Sequence, residues 1–357
     1  MIMRKVNVFI SSVLALFLLA GYTHAQVFMV VNGETSTPYN NLEAAITAAP
    51  AGATVFIPTG DFAITGNPSI QGANRPTTLH IDKKLTLIGA GSEEGALHAT
   101  ILRGQVTCTT GASGSYFEGI TITGDLRLDN VSDLTFKRGK FNFAYLSGEG
   151  DGNIIRESTM VGVKHLQAFY GNEGRPANGT FTEVFIQNNV VTASGAYSNP
   201  FSSLRKAIIT NNVIVGGTYA SNVFPNIYDC VVSNNIILEN AAHNPDAGGS
   251  SRNIYTFNLL VGSFGASAAA NYNSIGENIE KVFLVDIFED QVRYKLKETC
   301  VGKGAGADGT DMGIYGGLAA KEKRIPAHPS ITEFLVGGTS NTEGELSVRI
   351  KVEAQEK

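Results

Sequence analysis

Val184-Phe185-Ile186-Gln187-Asn188-Asn189-Val190-Val191 is answered by Ile208-Ile209-Thr210-Asn211-Asn212-Val213-Ile214, by Val231-Val232-Ser233-Asn234-Asn235-Ile236-Ile237 and by Ile254-Tyr255-Thr256-Phe257-Asn258-Leu259-Leu260. The second Asn of each unit falls at 189, 212, 235 and 258, a constant step of 23 residues. Short apolar runs around a turn residue, repeated at such a period, mark a stacked solenoid in which no unit buries its apolar face alone. The fold class this predicts is all-β, a parallel β-helix. One turn of the chain advances about 4.8 Å along the axis, so residues 23 apart stand above one another.

On that arrangement Asn189, Asn212, Asn235 and Asn258 form a structural turn ladder. Asn tolerates the left-handed backbone that a sharp bend needs, and stacked amides donate to and accept from the amides above and below. The same register aligns Glu183, Lys206, Asp229 and Arg252, an outward column of alternating sign. It reads as a solvated ion-pair ladder with little net field; the sharper alternative is a polar strip that meets a charged glycan.

The chain of 357 residues opens with Arg4-Lys5, an apolar run from Val13 to Ala20, and Thr23-His24-Ala25 before Gln26. A positive start, an apolar core and a small-residue exit predict a secretory signal over residues 1–25, hence a periplasmic or extracellular protein. No Cys follows the apolar run, which argues against a lipid anchor, and no other stretch is long and apolar enough to span a bilayer. Without Arg4 and Lys5 the 27 basic residues become 25 against 32 acidic ones, a net charge of −7. That sign disfavours nucleic acid and acidic lipid as general partners. Cys108, Cys230 and Cys300 are too few and too scattered for a disulfide framework, although one bridge among them is left open. Cys230 shares the column of Val184 and Ala207 and reads as a small core residue.

In chain order, Leu42, Ala45, Ile46 and Ala49 have helical spacing and are followed by Pro50 and Gly52, so a short helix is expected to cap the first coil. The runs Asn41-Leu42-Glu43-Ala44-Ala45-Ile46, Ala49-Pro50-Ala51-Gly52-Ala53-Thr54-Val55, Pro58-Thr59-Gly60 and Leu85-Thr86-Leu87-Ile88-Gly89 resemble the opening of secreted bacterial right-handed parallel β-helix proteins, the pectin-lyase-like superfamily. Asp308-Gly309-Thr310-Asp311-Met312-Gly313-Ile314-Tyr315-Gly316-Gly317 is similar to the end of the same repeat array. The resemblance implies a right-handed coil over roughly residues 27–317 and says little of activity, since one fold hosts many functions. Between 85 and 165 the repeat is irregular. Aligning Ser158 with Asn189 leaves eight extra residues, assigned to a loop within 171–179. From Tyr272 to Lys297 the repeat fades, and a basic linker leads into two strands, Ile331 to Val336 and Glu345 to Val352, read as a hairpin packed on the side or far end of the stack. The organisation is thus a signal (1–25), the β-helix with its cap (26–317), and a linker with a hairpin tail (318–357).

Members of the superfamily that cleave pectin-like chains converge acids or bases on one exposed strip, lyases often with a Ca²⁺. None of the segments expected of the hydrolases is written here except Arg349-Ile350-Lys351, which lies in the tail. The densest polar patch is Asp125-Leu126-Arg127-Leu128-Asp129, where alternation sends Asp125, Arg127 and Asp129 to one side. Lys137, Arg138, Lys164 and His165 follow in chain order and complete the candidate patch; as a set they read more simply as a solvated face. His80, His98, His243 and His328 are dispersed and offer no metal-ligand spacing. The expected function is non-catalytic contact with an extracellular polysaccharide or surface glycan, without cofactor or metal. The alternative is a polysaccharide lyase or glycosidase acting on an acidic glycan, the one case in which Ca²⁺ enters.

Overall fold

A computed structural model describes residues 27–65, 77–92, 99–165, 182–192, 199–215, 223–238, 242–243, 250–261, 263–264, 273–275, 277, 281–283, 294–317, 330–340 and 346–353. The expected signal peptide, the loop at 171–179, His98, His328 and the basic linker lie outside them. The protein is an all-β chain built on parallel sheets, with one α-helix among the described residues.

Sheet I carries eleven strands and is parallel from Thr54–Phe56 through to Ile254–Thr256. Sheet II comprises three strands (Gly60–Ala63, Thr100–Arg103, Thr121–Ile122) and six more (from Thr159–Met160 to Ser274–Ile275), bridged by Lys140 between Thr121 and Thr159. Sheet III has six strands, from Thr78–Ile81 to Phe201–Ser202. The chain visits I, II and III in that order and returns to I one strand further on. Phe185, Ile208, Val231 and Ile254 are successive Cα partners, so the 23-residue period is the strand register itself. The earlier passes have a period of their own: Tyr116, Thr135 and Ile154 are partners at 19-residue steps. That stretch looked irregular because its columns repeat in position while changing in chemistry.

The first pass is closed by a hairpin, β1 (Phe28–Asn32) and β2 (Thr35–Tyr39), pairing antiparallel onto Thr54–Phe56, and by helix α1 (Leu42–Ala48). The Asn41 side chain caps α1 by accepting from the Ala44 N–H at 2.7 Å, while Leu42, Ala45 and Ile46 are buried beneath it. On the outermost strand Pro38 has no N–H to offer a further strand, which blunts the open edge. The expected cap is therefore present, with a hairpin added to it.

Left-handed residues make the corners. Between I and II they are Arg138, Glu157, Asn188, Asn211, Asn234 and Phe257, all at φ between 51° and 57°. Thus the first Asn of each pair bends the chain and the second stacks. Asn189 donates from its backbone N and Nδ2 to Asn212 Oδ1 at 2.9 and 3.0 Å, and the pattern repeats from Asn212 to Asn235 and from Asn235 to Asn258. These stacked amides are fully buried. Asn273 extends the ladder by one step, accepting from Asn258 at 2.9 and 3.0 Å. Between III and I the left-handed positions include Glu183, Lys206, Asp229 and Arg252. Their regular spacing is thereby explained by backbone geometry. Asp229 and Arg252 form an exposed bidentate pair at 2.6 and 2.7 Å, which holds the Asp229 carboxyl below its ordinary pKa.

The interior is one continuous apolar core running the length of the stack. A second core lies outside it, on the far face of sheet II, where Val190, Val213, Ile236 and Leu259 meet Tyr294, Leu296, Met312 and Ile314. This is why the sheet II strands read as unbroken apolar pairs: one residue faces in and its neighbour faces a cover. The cover is the segment 294–317, of which Asp308 to Gly317 resembled the end of the repeat array. Instead it runs back over earlier passes, accepting from Asn188 Nδ2 at the carbonyls of Ile314 (3.2 Å) and Gly316 (2.8 Å), with the Ala307 N–H donating to Asn234 Oδ1 (2.9 Å). The tail is an antiparallel hairpin, Ser330–Ser340 with Leu346–Glu353, matching the two expected strands, the first of them longer than expected and the second shifted by one residue. No helix among the described residues is long and apolar enough to cross a membrane.

Candidate functional site

The outer face of sheet III is the most chemically distinctive surface. Strand alternation buries Leu126 and Leu128 and turns Asp125, Arg127 and Asp129 outward, as expected. Parallel register then builds a column across six passes: His80, Thr107, Arg127, Tyr145, Lys164 and Ser202. No carboxylate interrupts it. Phe143 stands two residues before Tyr145 on the same strand, with ring centroids 5.6 Å apart. Arg127 lies over the Tyr145 ring at 5.5 Å and Lys164 over the Phe143 ring at 4.1 Å. The two cations come from the strands on either side of the aromatic one, so the rings separate them and hold each in place.

Among the described residues neither cation makes an ion pair, and Arg127 Nε is buried without a hydrogen-bond partner. Burial pulls the Lys164 ammonium below its ordinary pKa and pushes the Tyr145 phenol above its own, with Asp125 adding to the latter. The carboxylates of the patch are bystanders to this strip. Asp125 is engaged by its own sheet, accepting from the Phe143 N–H and from Gln105 Nε2, both at 3.3 Å, and Asp129 pairs across to Ser147 on the other border. Higher up, Arg205 lies 5.3 Å over the Tyr228 ring, continuing the basic and aromatic theme.

The other sequence candidates go elsewhere. His165 is the partner of Leu146, in the column below which Leu128 and Cys108 are buried, so it leaves the strip; burial, more than Arg205, lowers its pKa despite a hydrogen bond to the Gly148 backbone. Lys137 and Arg138 belong to sheet I and its corner with sheet II. There Arg138, 5% exposed, donates to Glu157 at 2.8 Å and Glu118 at 3.3 Å, with Lys137 at 3.6 Å and Arg156 at 3.8 Å from Glu157. Tyr116 closes the cluster by donating to Glu118 at 2.7 Å. Apart from Arg156 Nε, which is buried without a hydrogen-bond partner, its groups engage one another, which is the pattern of a structural network. The patch drawn from the sequence is thus two separate assemblies, because proximity in the chain does not respect the corners.

Sequence reasoning missed Phe143 and Tyr145. Their signal was two aromatics at i and i+2 in a strand whose intervening Ala144 is buried, leaving both rings outside. The described residues hold no group of three His, Cys, Asp or Glu placed to bind a metal ion. All three cysteines are buried free thiols; burial pushes Cys230 up to about 11, as befits the core residue expected from its column. Set against protein-family models, characterised proteins and solved structures, the chain finds no match in any of the three.

Proposed function

We propose that this protein is a secreted right-handed parallel β-helix of the pectin-lyase-like kind that binds an acidic polysaccharide, without cleaving it, on the outer face of sheet III. The observation that carries the reading is the pair Arg127 and Lys164, each seated on an aromatic ring and neither neutralised by a carboxylate among the described residues. An unpaired cation on a protein of net negative charge is a local invitation to an anion. The rings keep the two heads from collapsing onto the surface, so less side-chain freedom is lost on binding. Asp125 and Asp129 flank Arg127 along its strand and would repel an acidic chain lying that way, whereas the column from His80 to Ser202 is free of them. The ligand accordingly runs across the strands. Five strand steps give a track of roughly 24 Å.

The test is binding of the full-length protein to uronate polymers and to neutral glucans, with absorbance near 235 nm followed for unsaturated products. Retention of the acidic polymers alone is expected; equal retention of neutral ones, or none of either, overturns the reading. Arg127→Gln and Lys164→Gln are each expected to weaken binding roughly fivefold, about 1 kcal/mol for a half-exposed charge contact. Binding also has a predicted pH dependence. Only the ammonium form of Lys164 attracts the ligand, and its pKa is lowered by burial from 10.5. Affinity should therefore fall as pH rises through that lowered value, before free lysine would titrate, and Lys164→Arg should remove the fall.

A second reading, lyase action on the same polymer, is favoured by one observation: the lowered pKa gives Lys164 a larger neutral fraction, as a proton-abstracting base requires. Growth at 235 nm that Lys164→Arg abolishes would establish it in place of the binding reading.

A further inference from the structure

The three outer faces differ. Sheet III presents the cationic column and sheet II, in its later passes, lies under the segment 294–317. Sheet I carries an outward apolar stripe in its last five passes: Ile154, Phe185, Ile208, Val231 and Ile254 are successive Cα partners. Each precedes a buried residue of the interior core, so each faces out; the first four are half-buried and Ile254 is 53% exposed. None of them belongs to either apolar core. Aligned aliphatic and aromatic residues on five neighbouring strands, over roughly 19 Å, form a contiguous patch of the kind that marks a contact surface.

We infer that the stripe is the docking face for the chain's own C-terminal hairpin. The hairpin pairs Ile331 with Val352, Phe334 with Ile350 and Val336 with Val348. Residues directly opposed in an antiparallel pair share a face, so this register gathers six apolar residues on one side. A two-stranded hairpin is at best marginally stable alone and needs a surface to pack on. The point of departure selects which one. A Cβ on Gly317 would lie 3.1 Å from Asn211 Oδ1, and Asn211 directly follows the sheet I strand Ile208–Thr210. Gly317, the last described residue before the hairpin, thus lies close to the middle of the stripe. Twelve residues, 318–329, separate Gly317 from Ser330, and reach at most about 40 Å, enough for any point along it. A tether this short makes the local concentration of the hairpin high enough to favour its own stripe over that of a second copy.

Hydrogen exchange on the full chain tests this, comparing the wild type with Phe185→Asp, Ile254→Asp and, on the hairpin, Val348→Asp. Docking predicts that each variant raises exchange across 346–353 at least tenfold and exposes Lys321, Lys323 and Arg324 to trypsin, while the buried strand residues Ile209 and Val232 stay protected and report an intact body. Ile254, exposed at the last pass, guards against a folding defect at Phe185. Unchanged hairpin exchange in both stripe variants overturns the inference. So does a concentration-dependent dimer that Val348→Asp dissociates, which would place the hairpin on a second copy.

Discussion

Asn212→Val should lower the stability of the protein by about 3–5 kcal/mol and its melting temperature by about 10 °C. Asn212 Oδ1 accepts two hydrogen bonds from Asn189, and its Nδ2 donates to the carbonyls of Ile186 (2.9 Å) and Thr210 (3.0 Å) and to Asn235 Oδ1 (3.0 Å). The site is fully buried, so no water replaces what valine cannot supply. Each polar group left alone costs about 1–3 kcal/mol, and the Asn189 N–H and the Ile186 carbonyl are the first to be stranded. Backbone strain plays no part, since the left-handed residue of this corner is Asn211 at φ 56°. Asn211→Ala is accordingly a separate and smaller test: it forfeits a 2.9 Å hydrogen bond accepted from the Thr210 hydroxyl, a 3.4 Å contact to the Gly313 carbonyl and the tolerance of Asn for that conformation. Thermal unfolding of both variants checks the division of labour. Should Asn211→Ala prove the more damaging, the ladder would not be the principal support of this corner.

Arg138→Met should cost about 3–5 kcal/mol, the range for removing one partner of a buried charge network. Glu118 and Glu157 are 1% and 4% exposed, and Arg138 bridges them between adjacent passes. Among the described residues the variant leaves Glu118 with the Tyr116 hydroxyl at 2.7 Å as its hydrogen-bond partner, and Glu157 with Lys137 and Arg156, at 3.6 and 3.8 Å. Replacing Glu118, Arg138 and Glu157 together by leucine, methionine and leucine should recover much of the loss, because a well-packed apolar cluster can equal a buried ionic one. Denaturant unfolding measures both. A single variant within 1 kcal/mol of the wild type would show that the network contributes little. The contrast is with Asp229→Asn at the exposed pair with Arg252, where no measurable change in melting temperature is expected.

What the sequence carried and what it hid follow from how far each feature reaches. The strand register of the later passes was legible because a stacked polar turn admits few residues, so Asn189, Asn212, Asn235 and Asn258 had to recur in type as well as in place. The capping helix was legible through the spacing of Leu42, Ala45 and Ile46, a local property of the chain. The 19-residue passes were not, because a corner filled by Arg138 in one pass and Glu157 in the next repeats only as a pair of complementary charges. The candidate site was half legible. Alternation alone sent Asp125, Arg127 and Asp129 outward, but chain order grouped them with Lys137, Arg138 and His165, which the structure places elsewhere, and Phe143 and Tyr145 were passed over.

By itself, then, the sequence determined the all-β class, the later period and the outward sense of Asp125, Arg127 and Asp129, since these depend on residues near in the chain and on the apolar faces they must hide. The tertiary structure alone decided which residues of different passes share a column. It set Tyr145 between Arg127 and Lys164, and laid the segment 294–317 over sheet II rather than at the end of the stack. The physical reason is that pass length along sheet I varies from 19 to 32 residues, so neighbours along the axis are set by loop length and corner geometry, which no short window of sequence contains.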